Sequence, residues 1–184
     1  MTRHAPLAAT LALCAALTPA VAAQETEAAA QPEPPRERVT NGQRFGAWAV
    51  TCEAIAVGET ACVLSQRLVQ SGGDAFLAEM LAFWSADGTE SYVAVRVPNG
   101  VFFPSGFAIR AADAPEDAEQ TMFEWQSCSP DLCEGLLRLD PEALEEFEGA
   151  GEVLAGYRPG LRAEPLVFRM SVSGLAEGLA ALRR

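Results

Sequence analysis

Apolar and polar positions alternate along most of the chain between residues 41 and 173. Trp48, Val50 and Cys52 share one face of such a run, and Cys62, Leu64, Gln66 and Leu68 repeat it. Val93, Val95 and Val97 alternate with Tyr92, Ala94 and Arg96 ahead of a Pro98-Asn99-Gly100 turn. Phe123 and Trp125 stand on one face of a run ending at Cys128, and Leu166, Phe168, Met170 and Val172 alternate with Val167, Arg169 and Ser171. A period of two is the mark of a half-buried strand. The stretch FLAEMLAFW, residues 76–84, is apolar on both faces and suits a central strand or a short helix; its strand neighbours favour the strand. Turn signals at short intervals between these runs predict a mainly β sandwich or barrel.

Two helices break the pattern. Asp140 is placed to cap the first, with Pro141 at its first position, Leu144 and Phe147 facing inward and Gly149 ending it. Ser173 is placed to cap the second, where Leu175, Leu179 and Leu182 form one stripe and Arg183 and Arg184 suit the C-terminal dipole.

The first residues read differently. Arg3 and His4 precede an apolar run from Pro6 to Val21, and Ala20-Val21-Ala22-Ala23 offers small residues for cleavage. This is the layout of a secretory signal over residues 1–23. The apolar run is short of the roughly 20 residues that span a bilayer, and Pro19 lies near its end. Cys14 follows Leu13 rather than a small residue, a poor match to a lipid-attachment cysteine. Residues 24–42 are rich in Glu, Ala and Pro, a composition that buries too little surface to order itself. A single domain is expected over residues 43–184.

Four cysteines remain beyond the signal: Cys52, Cys62, Cys128 and Cys133. An even count in an oxidising compartment reads as two disulfides, with three connectivities open. Each close pair brackets a turn-rich stretch, Val57-Gly58-Glu59-Thr60 and Ser129-Pro130-Asp131, which favours Cys52–Cys62 and Cys128–Cys133. A four-cysteine metal site lacks its usual C-x-x-C spacing, because the gaps are nine and four residues.

Composition then narrows the chemistry. The 184 residues include 13 Arg, no Lys and one His, His4, inside the signal. The formal net charge is −12, and −13 once the signal is removed. Without His or Lys the exported part has no Ser-His-Asp or Cys-His catalysis, no Schiff base, no Walker loop and no His-ligated zinc. The negative charge opposes nucleic acid and anionic membranes as partners. No cofactor is called for, and no later apolar run is long enough to span a membrane.

Candidate chemistry is sparse. Glu142, Glu145, Glu146 and Glu148 invite a two-carboxylate hydrolase, but consecutive glutamates on a short helix are ordinarily a solvated face. Asp87-Gly88-Thr89 lacks the order of an aspartic-protease loop and reads as a hairpin turn. Residues 97–110 (VPNGVFFPSGFAIR) place two turns around Phe102, Phe103 and Phe107 with Arg96 and Arg110 nearby. Aromatic rings beside arginines make a partner-binding patch, and Arg96, Phe102, Phe103 and Arg110 are its candidate residues.

The ordered set of motifs resembles the invasion-associated locus B family of bacterial secreted proteins. Its pieces are Phe45-Gly46-Ala47-Trp48-Ala49-Val50-Thr51-Cys52, then Cys62 and Gln66, then residues 97–110, then Phe123 to Cys133. The last is Met170-Ser171-Val172-Ser173-Gly174-Leu175 with its Leu/Ala helix. The resemblance covers nearly all of residues 43–182. It implies an immunoglobulin-like β-sandwich, in the periplasm or exported beyond it, with a link to host-cell invasion in some members. It carries over no catalytic residues. The expectation is a non-enzymatic binding protein whose partner is an envelope or host protein or a glycan. The alternatives are a two-carboxylate envelope hydrolase and a structural envelope protein without a dedicated ligand.

Overall fold

The structure is a computed structural model describing residues 38–183. The expected signal, residues 1–23, and residues 24–37 of the expected linker lie outside the described residues. Residues 38–42 rest on the domain. Val39 packs against the core, and the Gly42 N–H donates to the Val50 carbonyl at 2.7 Å.

Ten strands follow: β1 (Arg44–Phe45), β2 (Trp48–Ala56), β3 (Glu59–Val69), β4 (Phe76–Trp84), β5 (Ser91–Pro98), β6 (Phe107–Ala111), β7 (Thr121–Cys128), β8 (Leu132–Leu139), β9 (Glu152–Tyr157) and β10 (Leu166–Ser171). They form one antiparallel sheet in the order β1-β2-β3-β4-β5-β8-β7-β6-β9-β10. The doubly apolar segment is strand β4, buried alternately at Ala78, Met80 and Ala82.

The sheet folds back on itself at β7. The first residues of β7 pair with β6 and its last with β8, with a bulge between Trp125 and Ser127. An extra residue on one strand bends it and raises its twist, and here it marks where the sheet turns. The result is two layers, β1-β2-β3-β4-β5-β8 and β6-β9-β10, joined along β7. Val93, Val95 and Val97 of the first layer and Phe107, Ile109, Val153, Ala155 and Tyr157 of the second are buried in one core. The Tyr157 hydroxyl donates across the layers to the Leu77 carbonyl at 3.1 Å, and burial raises that phenol's pKa.

Both helices close one end of the sandwich. α1 (Pro141–Ala150) is capped as its sequence implies: Asp140 accepts from the Ala143 N–H at 2.8 Å. It does not end at Gly149. It runs to Ala150, and Gly151 takes the left-handed turn at φ 64°, a conformation that costs glycine least. α2 (Leu175–Leu182) is not capped by Ser173 either. Gly174, at φ 88°, precedes it, and the Glu148 carboxylate of α1 accepts the Ala176 N–H at 2.6 Å. One helix thus caps the other across the fold. A side chain on Gly174 would overlap Phe45, and one on Gly46 would overlap Ser173. That close approach brings the Ala47 N–H to the Ser173 carbonyl at 3.2 Å and draws the two ends of the sheet together. On α2, Gly178 leaves room for the fully buried Leu64, a burial worth about 1.5–3 kcal/mol. Arg183 ends that helix with its guanidinium 4.7 Å from the Trp84 ring; Arg184 lies outside the described residues.

The cysteines pair locally, Cys52–Cys62 across β2 and β3 and Cys128–Cys133 across β7 and β8. Each pair sits directly opposite in register. Asp87 closes the β4–β5 hairpin, accepting from the Ser85 hydroxyl and from the Thr89 N–H and hydroxyl.

Candidate functional site

A concavity of about 360 Å³ lies on the outer face of the second layer. Its floor follows from strand register. Met122 of β7 stands opposite Ala108 of β6, Ala108 opposite Gly156 of β9, and Gly156 opposite Val167 of β10. The two middle positions are small and the two outer ones large and exposed, so the row dips at its centre. Gly156 is needed for this shape, because a side chain there would press on the Leu166 carbonyl and Val167. The next outward row carries Arg110, Leu154 and Arg169.

Arg110 and Arg158 flank the floor. Arg110 donates to the carbonyls of Ala114 and Pro115 at 2.6 and 3.1 Å. It thereby holds the loop carrying Glu116 and Gln120, which form the groove's wall. Arg158 places its guanidinium 5.7 Å from the Phe102 ring, and its carbonyl accepts the Phe102 N–H at 2.9 Å. Its Nε is buried and has no hydrogen-bond partner. Among the described residues, neither arginine has a carboxylate within ion-pair distance. β10 forms the groove's far side and is an edge strand, paired only with β9 among the described residues.

The structure divides the four residues expected to form a binding patch. Arg110 lines the groove, and Phe102 joins it through Arg158. Phe103 is 54% exposed, with its ring 6.0 Å from that of Trp125 where the sheet bends. Arg96 belongs elsewhere. It lies on the outer face of the first layer, paired with Glu134 at 2.7 Å and Glu79 at 3.5 Å. Burial works against its charge, but those two carboxylates outweigh it and raise its pKa. Because Val95, Val97, Phe107 and Ile109 all face the shared core, Arg96 and Arg110 point out of opposite layers. Phe107 is fully buried, edge-on to Phe123 with ring centres 5.1 Å apart.

Of the four glutamates on α1, Glu142, Glu145 and Glu146 are exposed and Glu148 caps α2. Arg158 and Gly156 were missed as site residues, although the alternation of Val153, Ala155 and Tyr157 announces their strand.

The family described as Invasion associated locus B (IalB) protein matches residues 48–183. The crystal structure of invasion associated protein B from Bartonella henselae superposes with a TM-score of 0.60 at 16% sequence identity, over 76% of this chain and 92% of that one. At that identity the likeness is one of fold. No curated protein matches the sequence.

Proposed function

The chain belongs to the Invasion associated locus B family, and from that premise we propose that it is an exported, non-enzymatic binding protein that engages a partner through the groove between β6, β9 and β10. One observation carries the reading. In a chain of net charge −12, this concavity is lined by two arginines that have no carboxylate within ion-pair distance among the described residues. Uncompensated charge beside a small-residue floor suits a ligand that brings its own acid and a modest apolar group.

Export is supported by the signal-like residues 1–23 and by two disulfides, which persist in oxidising compartments. No helix among the described residues is long and apolar enough to cross a membrane. A part in host-cell invasion follows the family's description. Among the described residues Glu116 is the one carboxylate lining the groove, whereas two-carboxylate hydrolysis needs a pair roughly 5–10 Å apart. The groove therefore supports binding better than bond cleavage.

The test is chemical cross-linking of the oxidised protein in envelope fractions and on host cells. Ala108→Trp fills the groove without touching the core, and Arg138→Ala alters the opposite layer as a control. Partner adducts are expected to disappear with Ala108→Trp and persist with Arg138→Ala. Adducts that survive Ala108→Trp would remove the groove from the reading.

A further inference from the structure

Beyond the Cys52–Cys62 bridge, the β2–β3 hairpin leaves the sheet. β4 pairs with β3 only from Leu64 onward, and β1 reaches β2 only as far as Ala49. Residues 53–60 are all exposed, and they form a two-stranded arm with no third strand among the described residues. An isolated two-stranded ribbon is marginal in water, so the disulfide at its base supplies what neighbouring strands supply elsewhere.

The arm's tip is apolar. Its sequence is Glu53-Ala54-Ile55-Ala56-Val57-Gly58-Glu59, with Ile55 65% exposed and Val57 fully so. Two exposed aliphatic side chains on a projecting tip, flanked by two acids and no base, are a feature that folding alone does not explain. A lipid surface is a poor occupant, because Glu53, Glu59 and the net charge of −12 repel anionic headgroups.

We propose that the arm of one copy docks in the outer groove of a second copy, Ile55 and Val57 over Ala108 and Gly156, Glu53 and Glu59 toward Arg110 and Arg158. The inference rests on the groove being a binding site. The two surfaces complement each other: a projecting, acid-flanked aliphatic tip and a concave floor where Arg110 and Arg158 outnumber the wall's Glu116. The same copy's arm does not face its own groove, since the arm extends the first layer and the groove opens outward from the second. The contact is therefore head-to-tail and builds an open chain or a closed ring. It is small beside the roughly 1,200–2,000 Å² of a stable interface, so association is weak and concentration-dependent.

Sedimentation equilibrium of the purified, oxidised protein tests this. The average mass is expected to rise above the monomer with concentration. Ile55→Ser/Val57→Ser and Ala108→Trp should each weaken association at least tenfold while circular dichroism stays unchanged. Mixing the two variants should restore a one-to-one pair and nothing larger, because one supplies only a groove and the other only an arm. Removing only the arm's bridge, with Cys52→Ala/Cys62→Ala, should weaken association as well. A wild-type protein that stays monomeric at every concentration, or variants that associate like wild type, would overturn the proposal. If wild type is monomeric while Ala108→Trp still abolishes partner cross-links, the second copy is refuted and the groove stands.

Discussion

The β2–β3 and β7–β8 hairpins carry the same covalent device at unlike places. Cys128–Cys133 closes a tight turn, and Cys133 is fully buried opposite the equally buried Val97. The strands beneath it run into the bend where the sheet changes layer. Cys52–Cys62 stands where the sheet stops, half-buried below an exposed ribbon. Chain entropy alone ranks the longer arm loop slightly higher, with both bridges at about 2–3 kcal/mol. Surroundings reverse that ranking. An arm without core contacts can fray locally at little cost to the rest, whereas the corner cannot open without exposing Phe123 and Trp125. One bridge secures the fold and the other secures a projecting element.

The largest expected effect is at the corner. Cys128→Ala/Cys133→Ala should cost about 3–5 kcal/mol of stability in denaturant unfolding, in the upper part of the range for native disulfides. Cys52→Ala/Cys62→Ala should cost less, about 2 kcal/mol or below. Its signature is faster amide hydrogen exchange confined to residues 53–61. A larger global loss from the arm bridge than from the corner bridge would reverse the contrast. Smaller still is Ile55→Ser/Val57→Ser, expected within about 0.5 kcal/mol of wild type because both side chains are solvated. A melt markedly below wild type would make the tip a packing element.

The β4–β5 hairpin, held without a disulfide, sharpens the comparison from the other side. Hydrogen bonds from Ser85 and Thr89 lower the Asp87 pKa, and those from Tyr92 and Arg138 lower that of Glu90. A carboxyl with a depressed folded pKa adds stability above its unfolded value and loses it as pH falls through the folded one. NMR shifts of residues 85–92 should therefore change on acidification below the ordinary carboxylate range. Those of the two bridged hairpins should not move with them, and a uniform change across all three would count against hairpin-specific anchoring.

Much of this was legible from local signals. Each cysteine pair brackets a turn, and alternation marks β2, β3, β5 and β10. The Asp140-Pro141 start of α1 is a local capping pattern. What escaped depends on distant partners. Arg96 and Arg110 are near in sequence, but the ion pairs of Arg96 come from Glu79 and Glu134, on strands β4 and β8. The groove exists because β9 and β10 join β6, which no spacing in residues 97–110 reveals. Ser173 has a cap's chemistry, yet the close approach of Gly46 and Gly174 sets the backbone there and Glu148 takes the N–H instead. The arm was readable as a turn, but its projection depends on where β4 stops pairing.

The most direct measurement compares amide hydrogen exchange of the oxidised protein at low and high concentration. Protection gained at high concentration should fall on residues 53–61 and on the groove, which is β6, β9, β10, Arg158 and the loop carrying Glu116 and Gln120. No gain, or a gain over the outer face around Arg96, would contradict an arm-in-groove contact.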